Sequence, residues 1–385
     1  MGTPHPAFGH LLPASGEKVS RQAPAECPSP RLRGEGGAKR RVRGALALLF
    51  AFTTSAFAAP RPKNVILVIA DGMGAGQVTA ARWLLGDKLQ LLRMPASAFV
   101  ATHCADEAVT DSAAAASAYA TGMKTNYHAL SVDADGNPRT TVVEVAHAAG
   151  KATGLVTTTD FWDATPAAFA SHAKERYDDA PSIVQQMVSG GTDVIIGGGI
   201  DSLGKEKLPS LDDVKKSDRA VVVSLAELQA SKAPRVLGVM KRQDDDLEDP
   251  AAPLAALAKW TIEKLSADPD GFFLMIENEG TDSSSHSNNS DHVRTALRQY
   301  DAALAVALDF AAARNDTLVI AVGDHETGGM RIFQGRDKHR WRIEWSTVEH
   351  TGTSIPLFAF GPGSESFSGY IDNTDVGKKL LAFVK

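Results

Sequence analysis

The apolar residues of this chain fall in short unbroken blocks, separated by polar turns and by longer stretches of helical spacing. Asn64 to Ala70 reads NVILVIA, a β-branched run with no polar alternation. Such a run has no face to give to water and predicts a strand buried on both sides, as in a parallel sheet. It stops at Asp71-Gly72-Met73-Gly74, and a helical stretch follows. The same grammar recurs at Ala152–Thr158, which leads into the helical segment Thr159–Tyr177, and at Asp193–Gly199, Arg235–Met240 and Gly271–Glu277. It returns from Thr317 up to Asp324-His325, and again in SIPLFAFGPG just after His350. Helical spacing covers Ala251–Leu265 and Thr374–Val384. It is clearest over Asp291–Ala313, where Val293, Leu297, Tyr300, Leu304, Leu308 and Ala311 mark one face. Strands alternating with helices predict an α/β fold, a mostly parallel central β-sheet flanked by helices on both faces. Nothing between residues 60 and 385 reads as a linker or an internal repeat, which points to one domain.

Composition changes the picture mainly at the amino end. The chain has 385 residues, is 43% hydrophobic and 22% charged, and carries a net charge of −6. No basic stripe runs through its folded part, so a nucleic-acid partner is not expected. The basic cluster Lys39–Arg43 precedes the apolar run GALALLFAFTTSAFAA, which closes on Ala56-Phe57-Ala58. A charged start, a short apolar middle and an A-x-A site predict a secretory signal over 39–58, with cleavage after Ala58. Residues 1–38, rich in Pro, Gly and Arg, then read as a disordered leader or a mis-set start. The mature chain would carry 32 basic and 43 acidic side chains, an excess that bound divalent cations would offset. The apolar run is too short to span a membrane comfortably. No cysteine follows it to carry a lipid, so a periplasmic or secreted protein without a stable anchor is expected. Of the two cysteines, Cys27 lies in the leader, leaving Cys104 unpaired as a small buried hydrophobe.

Chemistry concentrates in a few places. Thr110–Gly122 reads TDSAAAASAYATG, in which Asp111 or Ser112 caps an alanine helix. Free N–H groups at a helix start attract an anion, so Ser112 there is a candidate nucleophile for a phosphoryl or acyl group. Four strand candidates end on or near metal-type donors: Asp71, the region of Asp163, Glu277, and Asp324-His325. Asp282 and His286 follow Glu277 in the spacing E-x4-D-x3-H, and His350 stands before Thr351-Gly352. Several such donors on one sheet edge predict a polynuclear site, with mixed carboxylate and imidazole suiting Zn²⁺ and all-oxygen donors suiting Mg²⁺.

In these motifs the chain resembles the alkaline phosphatases. The resemblance is carried by IADGMG at Asp71, TDSAAAASAYATG at Ser112, DATPAA from Asp163, Arg176, the Glu277–His286 spacing, GDHETGG at Asp324-His325 and EHTG at His350. It implies a metal-dependent phosphomonoesterase with two zinc ions and one magnesium. One zinc would be held by Asp282, His286 and His350, the other by Asp71, Asp324 and His325. Magnesium would take Asp71, Thr165 and Glu277, with Asp163 reaching it through water. Ser112 would become a phosphoserine and Arg176 would clamp two phosphate oxygens. A phosphodiesterase of the same superfamily and a non-catalytic phosphate-binding protein are the alternatives. Ser283 departs from the family pattern, which usually has Lys or His there, so phosphate affinity and pH optimum do not transfer. The short span before Glu277 leaves the oligomeric state open, a homodimer included.

Other residues carry weaker signals. His292 competes with His286 as a ligand but fits a helix start better. His172 is either near the clamp or a packed surface histidine, while His103 and His128 read as structural. Trp341 and Trp345, beside Arg340 and Arg342, read as a half-buried loop or a substrate-contacting rim.

Overall fold

The computed structural model describes residues 61–243, 250, 252–335 and 341–385. The leader, the signal segment, Cys27 and Arg340 lie outside the described residues. In chain order the strands are β1 (Asn64–Ala70), β2 (Ala96–Ala101), β3 (Ala152–Asp160), β4 (Val194–Gly198), β5 (Ala220–Val222), β6 (Val236–Val239), β7 (Phe272–Asn278) and β8 (Thr317–Val322). They continue with β9 (Glu326–Thr327), β10 (Arg331–Gln334), β11 (Trp341–Glu344), β12 (His350–Thr351), β13 (Ile355–Phe360) and β14 (Gly369–Asp372). Ten of them form one sheet in the order β14-β2-β13-β8-β1-β7-β3-β4-β6-β5.

The unbroken apolar runs explain this layering. In β1, Val65, Leu67 and Ile69 belong to one core, while Ile66, Val68 and Ala70 belong to the other. Helices Ser112–Thr121, Val142–Ala148, Ala164–Ala170, Ala180–Ser189 and Asn373–Val384 cover the first face. Ala75–Leu85, Leu254–Leu265 and Ser290–Ala312 cover the second. The α/β fold with a mostly parallel sheet is therefore as expected.

Three local expectations are corrected. SIPLFAFGPG is a strand, but β13 runs antiparallel to both β2 and β8, because an apolar run carries no direction. Thr159–Tyr177 is helical only over Ala164–Ala170. Beyond Ser171 the chain turns so that Ala173 pairs with Leu130, and a second helix starts at Ala180 with Pro181 in its first turn. The helix expected from Ala251 starts at Leu254, just after Pro253.

The helix that begins at Ser112 is buried along its whole length. Its small residues admit Asn373–Val384 so closely that a Cβ on Gly377 would lie 2.2 Å from the Ala118 carbonyl oxygen and 2.6 Å from the Gly122 nitrogen. Both are backbone atoms and cannot swing away. Gly377→Ala is therefore expected to destabilise the fold by about 1–3 kcal/mol. Thermal unfolding checks it, and an unchanged midpoint would contradict this packing.

Candidate active site and metal centre

The neighbours β8, β1, β7 and β3 are parallel to one another, so their carboxyl ends share one edge of the sheet. Each delivers a site residue. Asp71 follows β1, Glu277 lies in β7, Asp324 and His325 stand just past β8, and Asp163 follows β3 as the cap of Ala164–Ala170. Gly72 turns the chain after Asp71 with φ 71°, and its N–H donates to Asp324 Oδ1 at 3.0 Å. A side chain there would meet both strain and Asp282 Oδ1 at 2.7 Å.

Three imidazoles aim the same nitrogen inward. His350 Nδ1 is tied to the Thr110 carbonyl at 2.9 Å and His286 Nδ1 to the Val348 carbonyl at 2.6 Å. His325 Nδ1 is 3.2 Å from the Thr327 hydroxyl. Anchoring one ring nitrogen orients the other toward a ligand, as metal-binding histidines require. The His286 and His350 Nε2 atoms are 3.0 Å apart, and His286 Nε2 is 3.1 Å from Asp282 Oδ2. His325 Nε2 lies 3.3 Å from both Asp71 Oδ1 and Asp324 Oδ2. Two donor groups emerge, Asp71–Asp324–His325 and Asp282–His325–His350, each with its ligand atoms within 4.8 Å of one another. His325 thus borders both, and His286 closes on the second through Asp282 and His350.

A third patch is all oxygen. Glu277 Oε2 accepts from the Thr157 hydroxyl at 2.6 Å, and Asp163 Oδ2 from the Thr159 hydroxyl at 2.8 Å. The buried Thr165 hydroxyl lies beside Glu277, and Asp71 Oδ1 and Asp324 Oδ2 complete no hydrogen bond beyond their 3.3 Å approach to His325 Nε2. Sequence reasoning missed Thr157 and Thr159, and also Thr327, whose hydroxyl donates to Asp282. A run of three threonines at the end of an apolar strand was the available signal.

The charges follow from this crowding. Burial raises Asp71, Glu277 and Asp324 above the ordinary carboxylate range, Glu277 to about 8 and Asp324 to about 6, and neighbouring acids add to it. Burial also pushes Asp282 up, but the hydrogen bond from His286 and the charges of His325 and His350 reverse the balance and hold it low. That same hydrogen bond raises His286 to about 9. Burial, with His350 alongside, lowers His325 to about 3.

Ser112 is the first residue of its helix. The cap is Asp111, whose Oδ1 accepts from Ala114 N at 3.1 Å and from His128 N at 3.2 Å. Ser112 Oγ lies 3.1 Å from His325 Nε2. Arg176 Nη1 is 3.8 Å from Asp111 Oδ2, and its Nη2 donates to the Tyr177 hydroxyl at 2.6 Å. Burial works against its charge, but Asp163 and Asp111 hold the guanidinium protonated. A cavity of about 480 Å³ joins Ser112, Arg176, Asp282, His286 and His350.

The weaker signals separate cleanly. His128 lines that cavity, a place its reading as purely structural had not given it. His172 is a packed residue, bound to the Ser131 carbonyl and to Glu144. His292 sits in the first turn of Ser290–Ala312 with its N–H capped by Asn289. Trp345 donates to Ser290, and Arg294 covers the Trp341 ring at 4.8 Å, so both tryptophans pack against the second core. Ser283 turns back toward the Gly280 carbonyl at 3.5 Å. Cys104 is buried, and burial pushes its thiol to about 11, which suits no nucleophile.

Known proteins resemble this chain over most of its length. The sequence profile described as alkaline phosphatase matches residues 62–338. This chain belongs to the alkaline phosphatase family. It is 31% identical to alkaline phosphatase 3 of Bacillus subtilis over 83% of this chain and 88% of that one. It is 29% identical to the Escherichia coli alkaline phosphatase, over 82% and 84% of the two chains. Among solved structures, a variant of the TAB5 alkaline phosphatase with Mg bound superposes with a TM-score of 0.78 at 30% identity, covering 85% of this chain and 99% of that one. The protein is thus a phosphatase of a metal-dependent, phosphomonoester-hydrolysing family. Among its described residues no helix is long and apolar enough to cross a membrane.

Proposed function

We propose that this phosphatase hydrolyses small phosphomonoesters through a phosphoserine on Ser112, supported by two zinc ions and one magnesium, and that it works after export to the periplasm or medium. The carrying observation is the convergence of three Nε2 atoms with the buried carboxylates of Asp71, Asp282 and Asp324, beside which the Ser112 hydroxyl lies 3.1 Å from His325 Nε2. Burying so many acids without cations is costly, and the donor set fits the metals. Asp282, His286 and His350 would hold one zinc, and Asp71, Asp324 and His325 the other. The oxygens of Asp71, Thr165 and Glu277 suit magnesium, with Asp163 behind a water. When bound, these cations neutralise the acids, lower the pKa of the serine hydroxyl and stabilise the attacking and departing oxygens.

The chain's own residues do the rest. Asp111 fixes the helix start so that Ser112 faces the phosphorus, and Ser112 Oγ displaces the alcohol. Arg176 holds two phosphoryl oxygens with its planar fork, which lysine cannot copy. Water then cleaves the phosphoserine and frees phosphate. Positioning and charge stabilisation carry most of such a transfer.

The test compares 4-nitrophenyl phosphate with bis(4-nitrophenyl) phosphate, with and without EDTA, alongside elemental analysis. Faster monoester turnover, loss with chelator, and about two zinc and one magnesium per chain are expected. A faster diester reaction would favour the diesterase reading. Chelator-insensitive turnover would sink the metal assignment. Because Thr157 orients Glu277, Thr157→Val is expected to raise the Mg²⁺ concentration needed for half-activation by about ten-fold or more. An unchanged Mg²⁺ titration would detach Thr157 from the site.

A further inference from the structure

Tyr177 directly follows Arg176 and stands 61% exposed at the mouth of the active-site cavity. A tyrosine so exposed would ordinarily be free to turn, but this one is engaged three times. Its hydroxyl accepts from Arg176 Nη2 at 2.6 Å, and the guanidinium lies 4.6 Å over its ring. The ring also packs edge-on against His128, with centroids 5.0 Å apart and planes at 88°. His128 is itself fixed in a left-handed conformation, φ 64°. Its N–H donates to Asp111 Oδ1, its carbonyl accepts from Arg176 N at 3.0 Å, and Nδ1 meets Glu175 Oε2 at 3.3 Å. The stretch around His128 therefore links the cap of the serine helix to the Arg176 backbone directly and to its guanidinium through the Tyr177 ring.

We propose that Tyr177 is a positioning residue that orients Arg176 before phosphate arrives. A guanidinium carries five N–H donors, and Nη2 has one hydrogen on each of its two bidentate edges. A phenol that takes one of them leaves the other edge whole. Nε and Nη1 complete no hydrogen bond within the chain, Nη1 standing 3.8 Å from Asp111 Oδ2, so both have donors to offer an incoming anion. An arginine without this anchor would lose more rotational freedom on binding, so phosphate affinity would fall. The inference rests on the clamp role proposed for Arg176.

Tyr177→Phe keeps the ring against His128 and the guanidinium but removes the hydroxyl. The inhibition constant for inorganic phosphate and the KM for 4-nitrophenyl phosphate are each expected to rise about five-fold, the cost of freezing one freed side chain on binding. The kcat should fall by no more than about two-fold and the thermal midpoint should hold. In an Arg176→Ala background the same substitution should change neither constant, because the effect runs through Arg176. A structural role would instead lower the thermal midpoint and act equally in both backgrounds. Unchanged or tighter phosphate inhibition in Tyr177→Phe, or an equal loss without Arg176, overturns the proposal. A wild-type protein that releases no phosphate would instead overturn the phosphatase mechanism.

Discussion

Replacing Ser112 by alanine is expected to lower 4-nitrophenyl phosphate turnover by at least about a thousand-fold while leaving the protein folded. The hydroxyl opens onto the active-site cavity beside the donor cluster, 3.1 Å from His325 Nε2. Its removal should cost little stability, because Asp111 makes the helix cap and alanine is already the next residue. Phosphate trapped on the chain at low pH should disappear in the same variant. Comparable turnover with alanine at 112, together with no trapped phosphate in the wild type, would falsify the covalent route.

Stripping the metals should leave a protein whose stability falls as pH rises above about 6.5. The direction follows from which state holds the protons. Burial raises Glu277 to about 8 in the fold, against 4.5 ordinarily. In the metal-free protein the folded form therefore keeps a proton that the unfolded chain has released. The resulting loss runs from about pH 4.5 to about 8, and roughly 2 kcal/mol of it falls above pH 6.5. His286, raised to about 9 by Asp282, adds in the same direction, since its extra stability is present below 6.5 and lost as pH climbs through 9. His325 opposes this only at lower pH: lowered to about 3, it favours the fold increasingly from 3 up to 6.5 and adds nothing beyond. The clear window is therefore pH 6.5–9. Bound cations replace the protons, so the loaded enzyme should show a flatter profile there. Thermal unfolding across this range with and without chelator checks it, and two parallel curves would mean the acids do not hold cations.

Much of the site was legible because burial leaves few reasons for a charge. An acid closing an apolar, two-faced strand, such as Asp71 after NVILVIA or Asp324 after TLVIAV, needs a partner of opposite sign. Ser112 was legible through the polar triplet that opens an alanine helix. The Glu277–His286 spacing was legible too, since i and i+4 on Gly280–His286 put Asp282 and His286 on one face. Thr157, Thr159 and Thr327 were not. A hydroxyl in a strand looks like ordinary β propensity until the carboxylate it serves is seen beside it. Nor was the place of His128, which depends on a left-handed turn folding its ring against Tyr177.

By itself the sequence determined the central apolar strands and their burial, that both faces of the sheet are covered, and which side chains are candidates to bind cations or attack phosphorus; the short or half-exposed strands β2, β5 and β14 left too little apolar pattern to read. Periodicity and composition are local properties, and local properties set those features. Only the tertiary structure decided strand order and direction, the reversal of β13 included, and which donors meet. His350 reaches His325 because the two-residue strands β9 and β12 pair His350 with Thr327, far too short a ribbon to leave a pattern. The setting of Arg176 depends likewise on segments distant along the chain: the His128 N–H donates to the Asp111 carboxylate, and the His128 carbonyl accepts from the Arg176 N–H.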